Sequence, residues 1–153
     1  MIPPALEGFF PANSHAGTAE RYVVPVVGRD ILIATGSREV VVEREQADVM
    51  RFFCERRIVL GQWNGIDCEV WQLSSECRSM EGFGVTDLRS LLLSVSDDQF
   101  ALVSRAVQML EWQTTHRYCG ACGAATESAT EDHALRCLAC NISVYPRISP
   151  CVI

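Results

Sequence analysis

Two short runs of apolar residues near the N-terminus predict the first β-hairpin. Residues 21–27 and 31–34 are rich in β-branched side chains and flank the turn-forming sequence Gly28-Arg29-Asp30. Pro25 has no backbone N–H to donate, so we expect the first of these strands to lie at an edge of its sheet. The preceding residues 1–20 contain several prolines and are expected to form a loosely ordered lead-in.

A second hairpin is predicted over residues 57–73. The dipeptide Asn64-Gly65 separates two runs of β-branched and aromatic side chains, and both of its residues tolerate the positive φ angles of a tight two-residue turn. The stretch 46–53, between the two hairpins, predicts a short helix. Trp63, Trp71 and Trp112 are expected to pack in the core.

The pattern changes to helical spacing after residue 84. Thr86 or Asp87 would cap a short helix that ends near Leu93. Ser96, followed three residues later by Gln99, has the pattern of a capping box, with acidic residues at the positive end of the helix dipole. The long helix behind it is predicted to end near residue 113 and to bury one face, made of Phe100, Val103, Val107 and Leu110.

Four cysteines follow the spacing C-x2-C-x14-C-x2-C, namely Cys119, Cys122, Cys137 and Cys140. Each C-x-x-C turn brings two sulfurs to one metal ion, and the intervening loop allows the second turn to complete a tetrahedron. Gly120 and Gly123 favour tight knuckles whose N–H groups point at the sulfurs. Four thiolates leave no open coordination position, so the pattern predicts a structural Zn2+ ion rather than a catalytic one.

Composition and charge exclude several classes of protein. Residues 117–153 carry three arginines against three acidic residues, and the whole chain has no lysine and a formal net charge of −6. Because a nucleic-acid-binding zinc module normally carries a basic stripe, direct DNA binding is not expected. The sequence has no apolar run long enough for a membrane span and no secretory signal. A cytoplasmic location, with reduced cysteines rather than disulfides, is therefore expected.

These patterns together predict an α+β fold with a four-cysteine zinc ribbon at its C-terminal side. We assign residues 1–20 to the lead-in, 21–115 to a small α+β domain with hairpins and a C-terminal helix, and 116–146 to the ribbon. Residues 147–153 end in Val152-Ile153, which has the pattern of a buried strand that is only beginning. We therefore expect the sequence to be cut at a domain boundary.

Four segments carry motifs that are shared with a known family. They are L-G-Q-W-N-G at 60–65, V-Q-M-L-E-W at 107–112, H-R-Y-C-G-A-C-G at 116–123 and Y-P-R-I-S-P-C-V-I at 145–153. The chain resembles the bacterial NADH pyrophosphatases of the Nudix superfamily from about residue 21 to its end. Those enzymes have a Nudix-like N-terminal domain, a four-cysteine zinc ribbon and a catalytic Nudix domain.

The resemblance implies a function for the complete enzyme. Such an enzyme would be a homodimer that cleaves the pyrophosphate of NADH or NAD to nicotinamide mononucleotide and AMP, and that removes NAD caps from RNA by the same cut. Its Nudix box, G-x5-E-x7-R-E-x-x-E-E-x-G, would bind Mg2+ or Mn2+. The nearest match here, at 38–45, lacks the glycines and the paired glutamates, and valines 40–42 predict a strand instead. We therefore expect the non-catalytic N-terminal region of such an enzyme, with residues 147–153 as the first residues of its truncated catalytic Nudix domain.

The same resemblance nominates two residues near the substrate. Tyr145 would stack on a base or ring, and Ile153 would line the pocket wall; the alternatives are a half-buried ribbon strand residue and a core strand residue. His116 is an alternative metal ligand, but four cysteines already satisfy zinc, so a position at the helix C-terminus is favoured.

Two further functional hypotheses compete with that of an enzyme region. One is a stand-alone structural or dimerisation module that keeps only zinc binding. The other is a nucleic-acid-binding ribbon, which the balanced charge of residues 117–153 disfavours. The length of the native product distinguishes the first alternative from the enzyme region.

Overall fold

The chain divides after Val107 into two units, Met1–Val107 and Gln108–Ile153, of which the computed structural model describes residues 8–12 and 16–146. The first unit is built on a mixed sheet, and the second contains a small three-stranded sheet beside four clustered cysteines. The predicted α+β fold with a C-terminal four-cysteine ribbon is confirmed. No helix in the described part of the chain is long and apolar enough to cross a membrane.

Seven strands form the sheet of the first unit. In chain order they are β1 (Phe9–Pro11), β2 (Arg21–Val27), β3 (Asp30–Ala34), β4 (Val42–Glu43), β5 (Cys54–Trp63), β6 (Ile66–Leu73) and β7 (Phe83–Thr86). The spatial order is β1-β5-β6-β2-β3-β7, and β4 also pairs with β2. The β2–β6 pair is parallel, whereas the other pairs of this sheet are antiparallel.

Both predicted hairpins are present. Val26 lies opposite Ile31 in the first. In the second, Trp63 lies opposite Ile66, and the turn residues Asn64 and Gly65 have φ angles of 51° and 78°. These are the positive values that a two-residue turn requires, so the local sequence determines this turn.

The prediction of an edge position for Pro25 is wrong. β2 lies inside the sheet, between β6 and β3, and Pro25 is aligned with Trp71 of β6. On the other side of β2, β4 pairs at Tyr22 and Val23, and β3 pairs only from Val26 onward. Pro25 falls in the gap between these two partners, so neither β3 nor β4 pairs with it.

Part of the expected lead-in is ordered against the sheet. Phe9–Pro11 forms β1, which pairs with the second half of β5. Farther along, the backbone N–H groups of Ala16, Gly17 and Thr18 donate to the carboxylate of Asp67, with N–O distances of 2.9 to 3.0 Å. Asp67 is fully buried. Because a buried carboxylate requires such donors, this contact fixes the path of the chain into β2.

The helices follow the sequence signals with local differences. α1 (Arg44–Ala47) continues into a 3-10 helix, Asp48–Phe53, where a short helix was predicted. A second 3-10 helix, Ser75–Ser79, was not predicted. The remaining helices are α2 (Leu88–Leu91) and α3 (Asp97–Thr115).

The helix caps are only partly those that were predicted. Asp87 caps α2 by accepting a hydrogen bond from the Ser90 N–H at 3.0 Å. Ser96 Oγ caps α3 by accepting from the Gln99 N–H at 3.3 Å. The side chain of Gln99 does not return to Ser96 but donates to Glu39, 60 residues earlier in the chain. The predicted capping box is therefore half formed, because a tertiary partner takes the glutamine.

Apolar side chains from the strands and helices form the interior. Trp71 is completely buried, and the guanidinium carbons of Arg57 and Arg44 lie 4.2 and 5.2 Å from the centre of its ring. Trp112 is also buried, whereas Trp63 is half-buried against Tyr22. The buried face of α3 is shifted from the predicted one: Phe100 and Val107 are only partly buried, and the buried residues are Gln99, Leu102, Val103, Ala106, Met109, Leu110 and Trp112.

Candidate metal centre

Three short strands form the sheet of the ribbon, and only Cys137 of the four cysteines lies in one of them. β8 (Glu127–Ser128), β9 (Leu135–Cys137) and β10 (Ile142–Val144) form an antiparallel sheet in the order β10-β9-β8. In the first knuckle, the Gly123 N–H donates to the Cys119 carbonyl and the Cys119 N–H donates to the Ala124 carbonyl, each at 2.8 Å. The first cysteine pair therefore lies on a tight hydrogen-bonded turn.

The second knuckle repeats the conformation of the first with a different residue. Gly123 directly follows the first pair and has a φ of 75°, while Asn141 directly follows the second pair and has a φ of 56°. Asparagine is one of the few residues that adopt this left-handed conformation readily, so its position was a sequence signal that we missed. Gly120 has no left-handed φ, and a Cβ added there would meet no atom within 4 Å. Of the two glycines singled out in the sequence, only Gly123 has a conformation that favours glycine.

The four sulfurs converge on one point. All four Sγ atoms lie within 4.8 Å of one another. The separations are 3.7 Å for Cys119–Cys140, 3.5 Å for Cys122–Cys137 and 3.6 Å for Cys137–Cys140. Zinc–sulfur bonds of about 2.3 Å in a tetrahedron place the sulfurs about 3.8 Å apart, whereas a disulfide bond measures about 2.05 Å. The donor set and its spacing therefore support a structural zinc ion and not a pair of disulfides.

Backbone groups and neighbouring sulfurs set the charge of these thiols. The N–H groups of Ala121 and Cys122 donate to Cys119 and lower the pKa of Cys119 to about 6. The pKa of Cys140 is raised, because its thiol hydrogen-bonds to Cys122 and Cys137 and lies beside the Cys119 thiolate. Without a cation, the cluster cannot hold four negative charges at such short range. A divalent cation would offset the repulsion among the four thiolates.

His116 takes the position that was favoured for it, at the end of α3. Its Nδ1 lies 2.9 Å from the Trp112 carbonyl oxygen. Thr126 Oγ1 donates to the His116 carbonyl at 2.6 Å. Among the described residues, the cysteine cluster is the only group of three or more histidine, cysteine or acidic side chains close enough to hold a metal. His116 is not part of this cluster, and the four cysteines provide four ligands without a histidine.

Of the two nominated substrate neighbours, Tyr145 lies among the described residues. Tyr145 follows β10 and is 54% exposed. A hydrogen bond from its hydroxyl to Asp132 raises the pKa of Tyr145. Its aromatic ring is thus accessible while its hydroxyl is held. Ile153 lies outside the described residues.

The charged segment 38–45 has the structure of a strand end and not of a metal site. Val40, Val41 and Val42 are buried, and Arg44 begins α1. Arg44 Nη1 pairs with Glu69 at 3.1 Å. As predicted, the buried valines make this segment part of the sheet and not a metal site. The strand itself is limited to Val42–Glu43.

Two family models match the chain in succession. One, described as an NADH pyrophosphatase-like rudimentary NUDIX domain, matches residues 20–112. The other, described as an NADH pyrophosphatase zinc ribbon domain, matches residues 114–145 and includes all four clustered cysteines.

Curated relatives match over the same region. The NAD-capped RNA hydrolase NudC of Deinococcus radiodurans is 38% identical over 72 residues, which are 47% of this chain and 26% of the relative. The protein of that name from Stutzerimonas stutzeri is 38% identical over 66 residues, 43% of this chain and 24% of the relative. The one from Yersinia pestis is 36% identical over 94 residues, 61% of this chain and 34% of the relative.

The chain thus spans about a quarter to a third of the length of the curated relatives it matches. The first family model alone covers more than half of the chain, and the second falls on the cysteine cluster. The predicted family is confirmed: the chain belongs to the family of NADH pyrophosphatase-like rudimentary NUDIX domains, here followed by an NADH pyrophosphatase zinc ribbon.

Proposed function

We propose that this chain is the zinc-stabilised, non-catalytic support region of an NADH pyrophosphatase. The observation that carries the proposal is the succession of the two family matches, with the four cysteines of the second gathered at one point. The complete protein would hydrolyse the pyrophosphate of NAD(H) to NMN(H) and AMP. The similar proteins named NAD-capped RNA hydrolase support NAD caps on RNA as a further substrate.

The zinc ion has a structural role in this proposal. Cys119, Cys122, Cys137 and Cys140 would hold it, with the sulfur separations of a tetrahedral site. Four thiolates leave no position for water or substrate, so hydrolysis requires a different metal site. Mg2+ or Mn2+ bound by the glutamates of a Nudix box in a further domain would supply it. This chain would then provide residues 21–115 as the Nudix-like domain and 116–146 as the ribbon.

Tyr145 is our candidate for contact with the nucleotide, together with Ile153. The exposed ring of Tyr145 supports this role, because an aromatic face in contact with water gains by stacking on a base. Its hydroxyl is held by Asp132, which limits the rotation of the ring.

We further propose a cytoplasmic homodimer as the working form of the complete protein. Cys54, Cys68 and Cys77 are free thiols, which fits a reducing compartment. Dimerisation follows from the resemblance to the NADH pyrophosphatases and is tested by the mass of the native protein in solution.

The experiment separates the support role from catalysis. The purified 153-residue chain would be analysed for zinc content and then incubated with NADH and Mg2+ or Mn2+, with AMP measured by chromatography. One zinc per chain and no AMP are expected. Release of AMP by this chain would overturn the non-catalytic role, and absence of zinc would overturn the structural one.

Measurements on the native gene product test the activity proposed for the complete protein. Its intact mass should correspond to roughly twice this length, as a second domain of ordinary size requires. It should hydrolyse NADH, and Cys137→Ser should lower that activity together with the zinc content. A native product of roughly twice this length that leaves both NADH and NAD-capped RNA intact would contradict the proposed activity.

A further inference from the structure

The four cysteines of the cluster differ in their exposure to solvent. The first cysteine of each pair is buried: Cys119 is 5% exposed and Cys137 is 1% exposed. The second cysteine of each pair is more accessible, with Cys140 half-buried and Cys122 exposed. Among the described cysteines of the whole chain, Cys122 is the only exposed one. A reagent from solvent therefore meets the cluster first at Cys122.

The sulfur of Cys122 lies close to a sulfur of the opposite knuckle. The Sγ atoms of Cys122 and Cys137 are 3.5 Å apart, the shortest of the three separations given above. A disulfide needs about 2.05 Å, so the two sulfurs must approach by roughly 1.5 Å. Both lie at the ends of tight turns of the same ribbon, and this approach would join the two knuckles directly.

The other described thiols are poor competitors for an oxidant. Cys68 is fully buried, and burial raises the pKa of Cys68 to about 12, so it stays protonated. Cys77 is buried as well. Cys54 is half-buried, and its Sγ is 3.4 Å from the Arg56 carbonyl oxygen. Cys122 is therefore the described cysteine that a solvent oxidant reaches most readily.

We propose that Cys122 is the site at which peroxides oxidise the ribbon and release its metal, and this rests on zinc binding by the four cysteines as proposed above. The Cys122 thiolate attacks one oxygen of hydrogen peroxide, the O–O bond breaks, and sulfenic acid and hydroxide form. The Cys137 thiolate then attacks the sulfenic sulfur, the S–O bond breaks, and a disulfide and a second hydroxide form. Two thiolates are oxidised, one peroxide is reduced, and the zinc ion, left with two ligands, dissociates.

The consequence is a ribbon that loses its structure under oxidative stress. With two ligands in a disulfide, the remaining Cys119 and Cys140 cannot complete a tetrahedral site. The first unit has no part in this chemistry and keeps its fold. Reduction of the disulfide and resupply of zinc would restore the ribbon.

The test follows metal release and oxidation together. Zinc-loaded protein with Cys151→Ser, a background that removes the thiol outside the described residues, is titrated with hydrogen peroxide in the presence of a chromogenic zinc chelator. One zinc is expected to be released for each disulfide formed, and peptide mapping is expected to identify the Cys122–Cys137 pair. A disulfide between Cys119 and Cys140, or zinc release while Cys122 stays reduced, would overturn the proposal.

Brief alkylation with N-ethylmaleimide gives a second measurement that does not depend on folding of a ligand variant. Cys122 should be labelled before the other three ligands; prior labelling of Cys119 or Cys137 would contradict the proposal. Cys54→Ser serves as the matched control and should release zinc at the parent rate. The zinc content before oxidation distinguishes the two proposals: one zinc per chain with no reaction at Cys122 rejects the oxidation site alone, whereas zinc-free protein rejects structural zinc.

Discussion

The first unit and the ribbon of this chain differ in the residues that form their interiors. In the first unit the interior consists of apolar side chains, and β2 alone contributes the almost completely buried Val23, Val24, Val26 and Val27. In the ribbon, residues 116–146, the buried residues are Cys119, Ala134, Leu135 and Cys137, two of which are proposed zinc ligands.

The first unit and the ribbon should therefore differ in the main source of their folding free energy. Full burial of a side chain such as Leu135 contributes about 1.5–3 kcal/mol, whereas zinc binding contributes about 10–16 kcal/mol in small zinc-dependent folds. The ribbon should therefore depend on its metal, and the first unit on its packing. We therefore expect that each can be perturbed separately, which makes the comparison testable.

The largest expected effect is the loss of a ligand. Cys137→Ser should reduce the zinc content from one per chain to none and remove most of the stabilisation of the ribbon, on the order of 10 kcal/mol. The ribbon amides should lose their NMR dispersion, while the amides of β2 and β6 keep theirs. Cys68→Ala, which alters a buried cysteine outside the cluster, is the control and should retain zinc. A zinc-free Cys137→Ser protein with an intact ribbon spectrum would contradict the comparison.

The second effect concerns packing in the sheet. Leu60 of β5 is completely buried, and Leu60→Ala should lower the free energy of unfolding of the first unit by about 2–5 kcal/mol. Leu93 is 95% exposed, so Leu93→Ala should change it by at most about 0.5 kcal/mol. Urea unfolding measures both, and zinc content should be unchanged in both. Loss of zinc in Leu60→Ala would show that the two units are not independent.

A smaller effect, dependent on pH, is expected at Asp67. Burial raises the pKa of Asp67, but hydrogen bonds from Ala16, Thr18 and Gly17 outweigh it, and the net pKa is below its usual value. The charged form therefore stabilises the fold fully above the unfolded pKa of about 3.9 and ceases to do so as the pH falls through the folded pKa.

Asp67→Asn should accordingly lower the free energy of unfolding by about 1–3 kcal/mol at pH 7, and this difference should shrink below about pH 4. Urea unfolding between pH 7 and pH 3, followed by the amides of β6, measures it. Asp30→Asn is the control, since its partly exposed pair with Arg78 is worth about 1 kcal/mol at most. A pH-independent difference would mean that the Asp67 carboxylate has no special role.

The smallest effects compare one backbone conformation in the two units. Gly123 and Gly65 both have φ values near 75°, where an alanine costs about 1–2 kcal/mol. In Gly123→Ala this cost should appear as zinc affinity reduced by about tenfold, and in Gly65→Ala as lower resistance to urea with zinc unaffected. Gly120→Ala, at a position without left-handed φ, should change neither quantity. Equal effects at Gly120 and Gly123 would exclude the conformational explanation.

Sequence reasoning was accurate where the determinants lie close together in the chain. The Asn64-Gly65 turn, the Ser96 cap and the convergence of the cysteine pairs each depend on residues within one turn or one motif. The zinc spacing was especially informative, because four ligands of one type at fixed intervals have few alternative explanations.

The errors involve partners that are distant in sequence. Thr18 and Asp67 are 49 residues apart, and the partner of Gln99 is 60 residues away. β1 becomes a strand only because β5 offers an edge for it. Pro25 was misplaced because its tolerance depends on where two other strands happen to end. Local patterns contain no information on such pairs, and tertiary context decides them.

The parallel alignment of β2 with β6 has a consequence for synthesis of the protein. β2 leaves the ribosome before β6 has been translated, so this valine-rich strand must wait without its main partner. Exposed apolar strands of this kind nucleate aggregation between nascent chains. Pro25 interrupts the run of valines in its middle, and a proline cannot extend an intermolecular ladder. The residue that looks least suited to a central strand is therefore also one that disfavours pairing of this strand with other chains.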